Sequence, residues 1–460
     1  MNKRKNELSK KSFYLTLSIL IPFLMSMFCT FSLGSLALVM ALVKETRNDW
    51  QVTLPMVGIA MGSMTISMAI SGLFAAYSVD RISKKPVAII GGLITGFSFI
   101  LLANSWSWEA FFIAVVLTGI GNGIVAPVIF ALISDATPPE KRATNYGLFF
   151  LFGLAGTIYV IIFFLPAILV EKNWEGAYNL FGIYIIVLAL LTIIAKLPRR
   201  GQKDRAVQEL IEVDGIPYEY AIHIGDLKVI MKRKSNRYLI LNFADAVPAG
   251  VNTFIIFWLV EEHNLAYSAA LGMFVIIVFL VFLTPVFWGI YVDHLQKKSE
   301  DETLKIKLCI LLLIISSPLG LIAVLIPWDA SGITDPFGVF ILPGFVIVFI
   351  LLVAIFIFAP GIKPIWQSAI TEVNLPEHRT TSYQIAMFVD QLGIALGAFI
   401  TGFIIVWFSP NGYVAAFIFS ALMGLANIFT WVLALRYYRE DKHNVESILT
   451  QRAKDLKEKK

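Results

Sequence analysis

Three ionisable residues stand deep inside apolar stretches: Asp245, Lys363 and Asp390. A charge in hydrocarbon is costly, so such residues face a protein interior or a watery cavity and tend to mark ion or substrate paths. Each lies eight to eleven residues from the polar flank of its stretch, at Arg237, Glu372 and Arg379. At 1.5 Å per residue that is a shared depth of roughly 12–16 Å, which allows one Asp–Lys–Asp cluster. Two chemistries fit the cluster. A partly desolvated carboxylate biased by Lys363 exchanges protons or pairs with a charged solute group. Alternatively, a satisfied salt bridge fixes helix packing, as buried ion pairs often do.

The surrounding residues extend the polar set. Asn242, Asp245, Ala249 and Asn252 recur at helical spacing and form one stripe beside a Pro248-Ala249-Gly250 break. Lys363 is flanked by Pro360, Gly361 and Pro364, then by Trp366, Gln367 and Ser368. Helices broken at this depth line cavities, because their freed carbonyls otherwise lack partners. Earlier in the chain, Thr118 and Asn122 fall at i and i+4 between Gly119 and Gly123, where an interhelical hydrogen bond is the plainer reading.

The elements that must position these residues are membrane spans. The 460-residue chain is 58% hydrophobic and 15% charged, far below the roughly 25% charge of soluble domains. Apolar runs of spanning length fall near 14–40, 52–78, 86–104, 108–134, 144–169, 176–196, 238–260, 266–290, 306–327, 338–371, 383–408 and 412–436. The first reads as an uncleaved span rather than a signal peptide. Only Lys44, Arg47 and Lys172 among the loop cations fall in odd-numbered loops, so both termini and the even loops are expected to be cytoplasmic. The net charge of +5 then reports topology and contact with anionic lipid, with no nucleic-acid partner implied. Cys29 and Cys309 both lie in apolar spans and read as packing thiols. No catalytic, metal or cofactor motif appears in the loops, so a non-enzyme without cofactor is expected.

Two short strings are doubled. Ala76–Lys85 (AYSVDRISKK) matches Gly289–Lys298 (GIYVDHLQKK), each with an Asp and a terminal Lys pair. Ile133–Tyr146 (ISDATPPEKRATNY) matches Ile370–Tyr383 (ITEVNLPEHRTTSY), aligning Glu140 with Glu377, Arg142 with Arg379 and Tyr146 with Tyr383. Duplication in the same order means two related halves. The expected division is 1–197 for the first six-helix half, 198–236 for a central cytoplasmic loop, 237–438 for the second half and 439–460 for a charged tail. The loop holds either a small hairpin around Asp214-Gly215 or a helix along 204–212.

The first string resembles the loop motif G-x-x-x-D-R-x-G-R-R of the major facilitator superfamily. Ala76, Ser83, His294 and Gln296 depart from it, whereas Asp80, Arg81, Lys84, Lys85, Gly289, Asp293, Lys297 and Lys298 keep its charged frame. The resemblance implies an all-α membrane protein of twelve helices in two six-helix halves. It also implies alternating access, with Asp80 meeting the start of span 11 and Asp293 that of span 5. Helix starts attract carboxylates, and both starts read as capping boxes with Pro in the first turn. With Glu140, Arg142, Glu377 and Arg379 these residues compose a cytoplasmic latch.

Spans 1, 4, 7 and 10 line the central cavity in this superfamily, so Asp245 and Lys363 fall on cavity helices, while Asp390, on peripheral span 11, leans structural. Val115 stands where proton-coupled members often carry Arg, and span 5 lacks the antiporter Gly-Pro pair, which argues against drug/proton antiport. The expected function is secondary transport of a small organic solute by a monomer in the cell membrane, coupled to H+ or Na+ through Asp245, Lys363 and Asp390. The alternatives are a lipid or amphiphile flippase and, less well supported, a transport-dead receptor.

Overall fold

In the computed structural model the described residues are 24, 36, 40, 43, 47–81, 84–136, 144–146, 174–194, 225–281 and 283–458, apart from 332, 334 and 336. The first half contributes α1 (Leu54–Arg81), α2 (Lys84–Ala103), α3 (Trp108–Ala136) and α4 (Trp174–Leu191). The second begins with α5 (Lys234–Ile240) and α6 (Val247–Val251), then α7 (Tyr267–Val281), α8 (Thr284–Lys298) and α9 (Leu304–Val324). It ends with α10 (Pro343–Phe358), α11 (Ile362–Glu372), α12 (Arg379–Trp407) and α13 (Gly412–Glu458). Among the described residues, nine helices are long and apolar enough to cross a membrane. They fall on nine of the twelve expected runs. The runs at 14–40 and 144–169 lie almost wholly outside the described residues, as do Cys29 and the loop at 198–224.

The eighth run is a single stretch in the sequence and two helices in the structure. α7 ends at Val281 and α8 starts at Thr284, with Pro285 in its first turn. The proline ring clashes with the carbonyl four residues back, which is that of Val281, so the helix stops there. The seventh run is broken more finely. A 3-10 turn at Phe243–Asp245 precedes α6, a second follows at Asn252–Phe254, and a π-helical turn covers Trp258–Glu262. Pro248 has no N–H to give the carbonyl of Ala244, and such turns absorb the mismatch.

In the tenth run, a 3-10 turn at Ala359–Gly361 separates α10 from α11. Pro360 frees the carbonyl of Phe356, and the two carbonyls at this break find partners on α8. Trp288 Nε1 donates to Ile357 O at 2.8 Å, and Thr284 Oγ1 approaches Phe356 O at 3.4 Å. Gly361 is needed there: a Cβ would stand 2.6 Å from Trp288 Cγ.

The halves meet where α1 packs along α12. Close approach is direct at Gly58, whose Cβ position would lie 2.7 Å from the carbonyl of Ala398. Many large apolar side chains point outward, Phe74, Phe97, Phe279, Leu422 and Phe429 among them, as a lipid-facing surface requires. The last expected span and the charged tail are one 47-residue helix. No Pro or Gly interrupts it after Gly424, so nothing in the sequence stops it at residue 438.

Candidate substrate and coupling site

The breaks in runs seven and ten place the charged residues. Asp245 sits in the 3-10 turn ahead of α6 and is half-buried, with the Asn242 side chain hydrogen-bonded to it. Lys363 lies in the first turn of α11, where its Nζ forms an ion pair with Asp390 Oδ1 of α12. The same ammonium stands 4.7 Å from the centroid of the Trp366 ring, a cation–π contact. Lys363 keeps 29% of its side chain exposed and Asp390 only 3%. Asp245 interacts electrostatically with both. Of the sequence-predicted cluster, Lys363 and Asp390 are in direct contact, and Asp245 lines the same cavity as Lys363.

A cavity of about 230 Å³ opens beside it, lined at one end by Asp245 and Lys363. Asn252, Ser316 and Ser420 add polar atoms, while Ile355, Phe356 and Leu352 supply apolar wall. Trp258 and Phe417, with ring centroids 5.4 Å apart, line it as well. All the lining residues belong to the seventh, ninth, tenth and twelfth runs. Of the four spans expected to line a central cavity, the seventh and tenth contribute to this one, and the first lies almost wholly outside the described residues. The opposite face of run seven is occupied by α12, where Gly393 abuts the carbonyl of Phe243 and Gly397 that of Val247. The Asp245–Ala249–Asn252 stripe consequently turns into the second half.

The other candidate residues are placed elsewhere. Trp366 Nε1 donates to Leu239 O at 2.9 Å, and Gln367 Nε2 donates to the Tyr383 hydroxyl at 2.7 Å, so both tie α11 to its neighbours. Thr118 Oγ1 donates to Ala114 O and lies 2.9 Å from Ser98 Oγ of α2. Neither Thr118 nor Asn122, both buried in the first half, lines this cavity.

At the doubled strings, Asp293 Oδ2 accepts the Thr144 backbone N–H at 2.9 Å and its hydroxyl at 2.7 Å. A carboxylate of the second half thus meets the start of the fifth run, where free N–H groups favour it. Gly289 is buried beneath it in α8, and Lys297 and Lys298 are exposed at the end of that helix. Lys85 departs from the latch expectation: its Nζ donates to Ile193 O, within its own half. Lys84 is half-buried at the start of α2. The capping box expected at span 11 does not form, since no side chain caps the turn at Pro376–His378 or the start of α12. Asn374 instead exchanges amide hydrogen bonds with Asn236 and accepts from Ser382. Glu377 is held by Arg452 at 2.7 Å, and Arg379 Nε donates to Thr371 O at 3.1 Å. Glu140, Arg142 and the side chains of Asp80 and Arg81 lie outside the described residues.

Two features escaped the sequence reading. Phe130 stacks on Tyr383 with ring centroids 3.6 Å apart and planes 2° from parallel, and Tyr146 stacks on the Phe130 ring at 5.2 Å. The three rings bridge the halves, and the doubled Tyr146/Tyr383 position was the only sign of them. The second is the part of α13 beyond the twelfth run, which binds its neighbours through charge. Asp441 Oδ2 accepts the Ser235 N–H and hydroxyl, each at 2.7 Å, at the start of α5. Glu372 collects Lys305, Lys442 at 3.3 Å and the Tyr438 hydroxyl at 3.0 Å.

A bundle of membrane-length helices in two related halves, with charges buried at its breaks, defines a polytopic membrane transporter. The chain belongs to the major facilitator superfamily, whose family model matches residues 22–334. Among curated relatives, the Vibrio parahaemolyticus multidrug resistance protein MdtL is 27% identical over 172 residues, which is 36% of this chain and 42% of that protein. The Staphylococcus aureus quinolone resistance protein NorA is 24% identical over 140 residues, 30% of this chain and 34% of its own. The chain thus matches less than half the length of these relatives. They carry drug-resistance names, whereas Val115 and the missing Gly-Pro pair pointed away from drug/proton antiport. In three dimensions the chain resembles the human organic anion transporter MFSD10, with a TM-score of 0.65, 14% identity, and coverage of 90% of this chain and 99% of that one.

Proposed function

We propose that this chain is a proton-coupled secondary transporter that exports small organic solutes by alternating access, with Asp245, Lys363 and Asp390 as its coupling group. One observation carries the reading: a cavity-facing carboxylate stands beside an ion pair already formed between Lys363 and Asp390. Two carboxylates share one ammonium, so Asp245 is left to hold a proton or a solute. Binding of either at Asp245 excludes the other, which is the elementary requirement for exchange. The resistance names of MdtL and NorA support the outward direction. The basic even-numbered loops support a cell-membrane location with both termini in the cytoplasm.

The decisive measurement uses proteoliposomes loaded with a fluorescent organic solute under an imposed pH gradient. Gradient-driven flux is expected for the native protein, with a loss of at least ten-fold in Asp245→Asn. Equal flux with and without the gradient in the native protein would refute proton coupling.

A further inference from the structure

We infer that the cavity lined by the seventh, ninth, tenth and twelfth runs is a binding site for an elongated organic monocation. This rests on the proposed role of Asp245 and names what that residue holds. The charge count comes first. Lys363 is paired with Asp390 and stands 4.7 Å from the Trp366 ring, so its single charge cannot balance both Asp390 and Asp245. The polar end of the cavity carries one net negative charge, and an ammonium offers the charge-assisted hydrogen bond or contact that satisfies it. An anion would meet two carboxylates with no spare cation.

The walls agree with the charge. Beyond Asp245 the lining is chiefly aliphatic and aromatic, as sites for organic ligands usually are. Asp245 and Trp258 lie on the same run roughly 20 Å apart at 1.5 Å per residue, and both line the cavity. The shape therefore fits an ammonium at one end with a hydrocarbon body reaching the Trp258–Phe417 pair, whose ring faces also favour cations. None of the described first-half residues lines it. Gly320 supplies a handle independent of charge: it lines the cavity, and a Cβ there would meet nothing nearer than Ile355 Cδ1 at 3.9 Å. A larger side chain at this position grows into the cavity.

The test is isothermal titration of the full chain in lipid nanodiscs, with empty nanodiscs subtracted. Three probes share one tail: hexyltrimethylammonium, hexanol and hexanesulfonate. Saturable binding is expected for the ammonium, at least ten-fold weaker binding for hexanol, and none for the sulfonate. Asp245→Asn and Gly320→Leu should each weaken ammonium binding at least ten-fold, with melting temperatures checked to show that both variants fold. Equal binding of the three probes would overturn the charge argument. Undiminished ammonium binding by a folded Gly320→Leu would place the solute elsewhere and overturn the location. Failure of the proton-coupling reading is separate: it appears as gradient-independent flux in the native protein, whatever the titrations give.

Discussion

Asp390 is nearly enclosed, and its partner Lys363 reaches it from the first turn of a helix restarted after Pro360. Removing one member of such a pair strands a buried charge, at a cost of about 3–5 kcal/mol. Lys363→Met should therefore lower the melting temperature in detergent sharply. The double variant Lys363→Met with Asp390→Leu should recover most of that loss, because an apolar pair of similar volume avoids the desolvation penalty. If the double variant is no more stable than the single one, the pair is not the main partner of Asp390. Gly361 offers a second residue-scale test. Any side chain there presses on the Trp288 ring, so Gly361→Ala should cost about 1–3 kcal/mol. Restored stability on pairing it with a smaller residue at 288 is not expected, since the Trp288 indole also serves the carbonyl of Ile357.

At the scale of elements, the clearest dependence is of α5 on α13. The Asp441 carboxylate caps the first turn of α5 from outside that helix, a role worth about 1 kcal/mol. Asp441→Ala should speed hydrogen exchange in 234–240 while leaving α10 unchanged. At the other end of run seven, His263 lies between two indoles. Its ring stacks on Trp328 at 4.0 Å and meets Trp258 edge-on at 4.8 Å. Burial pushes its pKa below the usual 6.5, against the opposing pull of the Trp328 carbonyl and Asp329. The unfolded chain then binds the proton more readily than the folded one. The stability this neutral ring contributes is present above about pH 6.5 and declines as pH falls below it. Hydrogen exchange around 329–331 should accelerate on acidification, and His263→Phe should flatten that response.

For the whole molecule, the Tyr146–Phe130–Tyr383 stack is the contact to follow, because it joins the halves. Cysteines replacing Phe130 and Tyr383, in a background lacking Cys29, should crosslink with a short bis-maleimide and arrest transport. Efficient transport after complete crosslinking would show that the halves do not part there. Much of this architecture was legible in the sequence: the apolar runs, the two halves from the doubled strings, and the depth-matched Asp245, Lys363 and Asp390. What escaped it depended on which way helices face. The stripe at 242–252 is plain in the sequence, yet its direction follows from how Gly393 and Gly397 let α12 occupy the opposite face. Similarly, Glu377 read as a capping residue because its local string permits one. Its partner, Arg452, lies 75 positions away, at a separation no local pattern encodes.

The unbroken length of α13 has a mechanical meaning. Its 47 residues amount to roughly 70 Å at 1.5 Å per residue, with no hinge between the membrane and the Arg452–Glu377 anchor. A tilt of the second half during a transport cycle must therefore be transmitted along a rigid lever beyond the membrane, where a few degrees become several ångströms at its tip. A spin label at Lys454, paired with one on the first half, should report each stroke as a change in distance. The tail of this chain is then a gauge needle for the cycle, and anything that grips it becomes a brake.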